Sequence, residues 1–195
     1  MRKNRKLAIL LSGRGSNFIA IHEAIARGDL SASICCVISN VAEAPGLARA
    51  RDFRLHCICL PSRGIDRLDY DRSLLAALEP FEPDLICLAG FMRVLSSEFI
   101  SAYRGRILNI HPALLPSFPG LHAQRQALQY GVRITGCTVH LVDEGVDTGR
   151  ILMQRAVEVR DGDTEETLSA RILQQEHDLY WRAIAHALES LPDPN

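Results

Sequence analysis

Over the first 110 residues, short apolar runs alternate with segments whose apolar positions fall at helical spacing. The run at 7–11 is continuously apolar and ends at Ser12-Gly13; such a run reads as a strand buried on both faces. The stretch Ser16–Arg27 carries Phe18, Ile19, Ile21, Ala24 and Ile25 on one helical stripe, and Gly28 supplies a stop. The same reading predicts strands at 33–39, 56–60, 84–89 and 106–110 and helices at 46–52, 66–78 and 96–103. Ser96 is placed to cap the last of these helices, with Glu98 in its first turn. Buried strands alternating with helices predict a parallel sheet covered on both faces, so residues 1–110 read as a doubly wound α/β unit. The pattern then changes. A helix is expected at 121–130 and strands at 135–142 and 150–159, joined by a glycine-containing loop at 143–149. A long helix from 164 to about 188 follows, with Thr164 and Thr167 as caps and Glu165 and Glu166 at its start. No repeat or linker interrupts the chain, so one domain is expected over 1–195, with halves at 1–110 and 111–195. The tail from Leu191 is expected to be loose.

Charge narrows the partners. The 195 residues carry 22 basic and 23 acidic side chains, a net of -1, which gives no broad field for nucleic acid or an anionic membrane. The basic start, Met1 to Lys6, leads into only five apolar residues, too few for a secretory core. No stretch is long enough to span a bilayer. A cytoplasmic protein acting on small molecules, monomeric or a weak homodimer, is the expectation. Cys35, Cys36, Cys57, Cys59, Cys87 and Cys137 lie in apolar runs and form no C-x-x-C pair. They read as buried free thiols rather than a disulfide or metal framework.

Three places carry candidate chemistry. The first is Ser12-Gly13-Arg14-Gly15-Ser16-Asn17, which follows the first strand and opens the first helix. Glycines there let the backbone approach a ligand, and the helix start offers unpaired N–H groups to an anion. Phe18 occupies the third glycine position of a dinucleotide fingerprint, and the Lys-Ser/Thr ending of a Walker loop is missing. Phosphate binding and a plain turn both remain open here. The second place is Asn109-Ile110-His111-Pro112 at the end of the fifth strand. Residues two apart on a strand share a face, so an amide donor and a proton-transferring imidazole project together. The third is Asp143-Glu144-Gly145-Val146-Asp147-Thr148-Gly149, longer than a plain hairpin needs. A carboxylate from this loop near His111 would raise the imidazole pKa. No histidine or cysteine spacing suggests a metal site.

The run from Asn109 to Pro116 followed by Asp147-Thr148-Gly149 resembles the signature of the folate-dependent formyltransferases. The Gly13–Asn17 loop, the run 89–96, Phe118-Pro119-Gly120-Leu121-His122 and Gln175-Glu176-His177 extend the resemblance over nearly the whole chain. It implies a Rossmann-like formyltransferase fold with an antiparallel C-terminal edge. It implies 10-formyltetrahydrofolate as co-substrate, no metal, and the amine of a phosphoribosylated glycinamide as acceptor. On that resemblance Asn109, His111 and Asp147 are catalytic, and Gly15, Ser16, Asn17 and Glu176 hold the ribonucleotide. Arg67, Met92, Arg93, Val94 and Leu95, with Asn109 and Asp143, Glu144, Gly145, Val146 and Asp147, take the folate. Ala113 and Gln124 depart from residues often found in the family. The alternatives are a formyltetrahydrofolate hydrolase, a tRNA-directed formyltransferase, both expected to carry a further domain, and a non-catalytic nucleotide-binding module.

Overall fold

The computed structural model describes residues 4–191. The first three residues of the basic start and residues 192–195 of the tail lie outside the described residues. Seven strands form one sheet: β1 (Arg5–Leu11), β2 (Ala32–Ser39), β3 (Cys57–Cys59), β4 (Leu85–Leu88), β5 (Ile107–His111), β6 (Ile134–Leu141) and β7 (Ile151–Glu158), in the order β3-β2-β1-β4-β5-β6-β7. The first five are parallel, and β6 and β7 add antiparallel to the β5 side. This is the doubly wound sheet with an antiparallel edge that the apolar pattern and the resemblance imply. Strand β3 is shorter than expected because only three residues pair with β2.

Six helices pack on the sheet: α1 (Ser16–Arg27), α2 (Pro45–Asp52), α3 (Arg67–Leu78), α4 (Ser97–Ala102), α5 (Ala123–Tyr130) and α6 (Glu165–Ser190). The alternation of β1 shows why both faces need cover. Leu7, Ile9 and Leu11 join a core with Phe18 and Ile21 of α1 and Ile172, Tyr180 and Ile184 of α6. Ala8 and Leu10 point the other way, into a core with Tyr70 and Leu74 of α3 and Phe99 of α4.

Capping follows the local chemistry. The backbone of Gly28 closes α1 in the left-handed conformation. Asp66 caps α3 and Ser96 caps α4 through side-chain bonds to backbone N–H groups. Thr164 and Thr167 form a reciprocal capping box on α6. The hydroxyl of Tyr180 on α6 lies 3.0 Å from both the Leu88 and Leu108 carbonyls, which ties this helix to β4 and β5.

The strand order reverses between β1 and β4. The loops that leave their C-terminal ends therefore diverge and open a crevice, the usual ligand site of such sheets. The Ser12 hydroxyl spans it, accepting from the Met92 N–H at 2.7 Å and donating to Asn40 Oδ1 at 2.6 Å.

Candidate active site

The site is built on two rows of cross-strand neighbours. Antiparallel pairing sets Asn109 opposite His140 and His111 opposite Thr138. Directly paired residues project to one face, so Asn109, His111 and His140 meet on the same side of the sheet. Asp147 reaches them from the β6–β7 loop. Its backbone is left-handed (φ 56°), a conformation Asp tolerates better than most residues. Its Oδ2 accepts the Gly120 N–H at 2.8 Å and lies 3.2 Å from His111 Nδ1. Its Oδ1 lies 3.5 Å from both Asn109 Nδ2 and His140 Nε2. The loop is folded on itself around Asp143, whose Oδ1 accepts from the Gly145 N–H and the Thr148 hydroxyl.

The hydrogen-bond partners constrain the proton positions. His111 Nε2 faces the Phe118 carbonyl at 2.8 Å, so it carries hydrogen. Its Nδ1 faces a carboxylate, so the pair is shaped to take up one more proton. Burial works against that proton. Desolvation is the largest influence on His111 and holds the imidazole below its usual range, while Asp147, as expected of a nearby carboxylate, and the Phe118 carbonyl pull it up. Burial also pushes Asp147 up, but the hydrogen bond to His140, the Gly120 N–H and the two imidazoles together leave it below the usual carboxylate range. His140 Nδ1 faces the Leu141 carbonyl at 2.9 Å, and its Nε2 lies 3.2 Å from Asn109 Nδ2 and 3.5 Å from Asp147 Oδ1. Asn109 is thus held by its amide, with the longer bond to Asp147 the easier one to exchange.

These groups form the floor of a cavity of about 510 Å³. Leu88, Phe91, Leu95 and Ile100 give it an apolar wall, and Met92, Val94, Leu121 and Val146 form an exposed apolar rim. Of the residues singled out for the folate, Met92, Arg93, Val94, Leu95, Asn109, Asp143, Gly145, Val146 and Asp147 line this cavity. Arg93 crosses the Tyr70 ring, 4.5 Å from its centroid, and donates to the Ser62 carbonyl. Glu144 and Arg67 are not among the lining residues. Glu144 pairs with Arg104 at the surface, and Arg67 is exposed at the start of α3.

Gly15, Ser16, Asn17 and Glu176 assemble elsewhere, where α1 meets α6. A Cβ on Gly15, which has φ +70°, would sit 3.0 Å from the Gly46 Cα, so this close packing of the loop on α2 requires glycine. Asn17 Nδ2 donates to Glu176 Oε2 at 2.7 Å, and Asn17 Oδ1 is buried without a partner. Burial pushes Glu176 above the usual carboxylate range, partly offset by that bond. His140 is the residue that sequence reasoning missed; its only signal is the register that sets it opposite Asn109. All six cysteines are free and lie on the strands.

A doubly wound sheet whose strand-end Asn and His meet a loop Asp defines a class, and comparison with known proteins names it. The chain belongs to the formyl transferase family, whose model matches residues 5–184. It is 43% identical over 175 residues to the phosphoribosylglycinamide formyltransferase of Escherichia coli K12, covering 89% of this chain and 82% of that one. It is 44% identical over 189 residues to the trifunctional purine biosynthetic protein adenosine-3 of Homo sapiens, covering 94% of this chain. It spans 18% of that protein's length, and 14% of the Drosophila pseudoobscura counterpart. The crystal structure of the Brucella melitensis phosphoribosylglycinamide formyltransferase superposes with a TM-score of 0.89 at 46% identity, covering 98% of this chain and all of that one. The glycinamide ribonucleotide transformylase 1 of Symbiobacterium toebii gives 0.93 at 43% identity, covering 98% and 92%.

Proposed function

We propose that the chain transfers the formyl group of 10-formyltetrahydrofolate to the amine of N1-(5-phospho-ribosyl)glycinamide, yielding the formylglycinamide ribonucleotide and tetrahydrofolate in purine synthesis. The observation that carries this reading is the Asp147 carboxylate set between His111 and the Asn109–His140 pair at the floor of an apolar cavity. A pterin ring fits the apolar wall, with Met92 to Leu95 on one side and Asp143 to Asp147 on the other. The acceptor's phosphate is assigned to Gly15, Ser16 and Asn17 at the start of α1, where N–H groups favour an anion, and its ribose to Glu176. Arg67 is assigned to the carboxylate side of the folate, and Glu144 to the 143–147 loop that cradles the pterin. Residues 1–110 supply the ribonucleotide loop, and 111–195 supply the loop that carries Asp147.

The mechanism follows from the proton positions. The free amine attacks the formyl carbon and a C–N bond forms as the carbonyl π electrons move to oxygen. Asn109 Nδ2 turns from Asp147 to the developing oxyanion. The amine proton enters the His111–Asp147 pair, directly or through water. The imidazolium so formed lies beside a carboxylate and adds positive charge at the oxyanion. Collapse of the intermediate breaks the bond to N10, which receives the proton. His111 rests neutral because of its burial and becomes charged only during turnover, a differential interaction of the kind that lowers the barrier.

The direct test mixes the purified protein with 10-formyltetrahydrofolate, with and without the ribonucleotide, and follows tetrahydrofolate by absorbance with chelator present. Product that requires the ribonucleotide is expected. Equal product without it would make water the acceptor and the chain a hydrolase. No product from folded protein with intact ligands would return the cluster to a binding role.

A further inference from the structure

The loop between β5 and α5 carries both backbone groups that hold the central acid–base pair: the Phe118 carbonyl on His111 and the Gly120 N–H on Asp147. What fixes this loop is a third row member. Thr138, opposite His111, is itself opposite Gln154 of β7. His111, Thr138 and Gln154 therefore stand in one line across three strands. The Thr138 hydroxyl donates to the Ala113 carbonyl at 2.6 Å and accepts from the Leu115 N–H at 3.0 Å and from Gln154 Nε2 at 3.0 Å. Those three bonds use its whole capacity. Gln154 Nε2 also donates to the Leu115 carbonyl at 2.9 Å. Both atoms it faces accept, so the amide orientation is settled by its partners.

We propose that Gln154, on the solvent-exposed edge strand and outside the cavity, is a positioning residue that holds the 113–118 turn and thereby aims the Phe118 carbonyl at His111. The inference rests on the formyl-transfer reading. With Nε2 pinned by that carbonyl, His111 can exchange a proton only at Nδ1, the nitrogen facing Asp147. Phe118 has a left-handed backbone (φ 56°), which a non-glycine residue keeps only where its surroundings impose it. Loss of the Gln154 donor leaves the Leu115 carbonyl without its side-chain partner and frees the turn three residues ahead of Phe118. Because the Phe118 carbonyl pulls the His111 pKa up, misdirecting it lowers the midpoint at which His111 titrates.

The test uses Gln154→Glu, equal in length but unable to donate when ionised, and Gln154→Leu. Three readings are taken on each: kcat with both substrates saturating, the His111 midpoint by imidazole NMR, and the melting temperature. The expected result is a kcat lower by on the order of tenfold in both variants, a lower His111 midpoint in Gln154→Leu, which adds no charge, and a melting temperature close to that of the parent. Parent-like kcat and midpoint in both variants would overturn the proposal. A fall in kcat with the His111 midpoint of Gln154→Leu unmoved would overturn it as well, since Gln154 would then act by another route. If the parent transfers no formyl group, the functional reading fails, and the NMR midpoint alone decides the role of Gln154.

Discussion

In the proposed mechanism Asp147 is the residue on which the chemistry turns, because one carboxylate contacts His111, His140, Asn109 and the Gly120 N–H. Asp147→Asn keeps an oxygen for Gly120 and removes the charge. It is expected to lower kcat by about 10²–10⁴-fold, the usual worth of a positioned acid–base group, with little change in melting temperature. Steady-state kinetics beside a thermal melt checks this; full activity would remove the proton relay from the mechanism. Asn109→Ala removes the proposed oxyanion donor and is expected to cost about 10²–10³ in kcat, read at saturating concentrations of both substrates. Asn109 and His111 were legible in the sequence because a two-residue spacing at a strand end has one geometric meaning. His140 was not, because nothing along the chain states which residue of β6 faces Asn109.

At the scale of elements, the 143–149 loop is shaped by its glycines as much as by its acids. A Cβ on Gly149 would fall 1.8 Å from the Leu141 carbonyl oxygen, and one on Gly145 would fall 2.0 Å from the Thr148 hydroxyl. Gly149→Ala must therefore displace the backbone two residues beyond Asp147. The folate KM is expected to rise and kcat to fall, each by on the order of tenfold, while circular dichroism stays that of the parent. Unchanged kinetics would mean the loop shape does not set Asp147. The α6 cap gives a contrasting case. Thr164→Ala removes one half of the capping box and is expected to cost about 1 kcal/mol of stability, seen in urea unfolding, with kcat unchanged. Helix ends at Gly28, Asp66, Ser96 and Thr164 were readable because capping is local chemistry. The length of β3 was not, since pairing with β2 decides it.

At the scale of the whole molecule, burial of titratable groups sets how stability depends on pH. Desolvation holds His22, His111 and His177 below the ordinary histidine value of 6.5. As pH falls through 6.5 the unfolded chain takes up these protons before the folded one, so stability is lost. Glu176, pushed up by burial, works in the opposite direction over its own raised range. Asp147 and Asp163, held low, lose their contribution only as pH drops below the usual carboxylate value of 3.8. With three groups against one, the melting temperature is expected to fall by a few degrees between about pH 7.5 and 5.5. His22→Phe, which keeps the ring that stacks on Phe53 at 3.9 Å, should flatten the curve. A flat profile in the parent would show that the linkage of the three imidazoles is no larger than the opposing one of Glu176.

The alternation of apolar runs with helical stripes determined the doubly wound sheet and most element ends, because burial period and capping are properties of neighbours in sequence. It also determined that Asn109 and His111 share a face at a strand end, and that glycines frame Asp147. Tertiary structure alone decided the rest. Register across β5, β6 and β7 set His140 against Asn109 and drew Gln154 into line with Thr138 and His111. Folding joined Asn17 to Glu176 across 159 positions of the sequence. Burial outweighed the upward pull of Asp147 on His111, because the cost of desolvating a charge depends on everything packed around it.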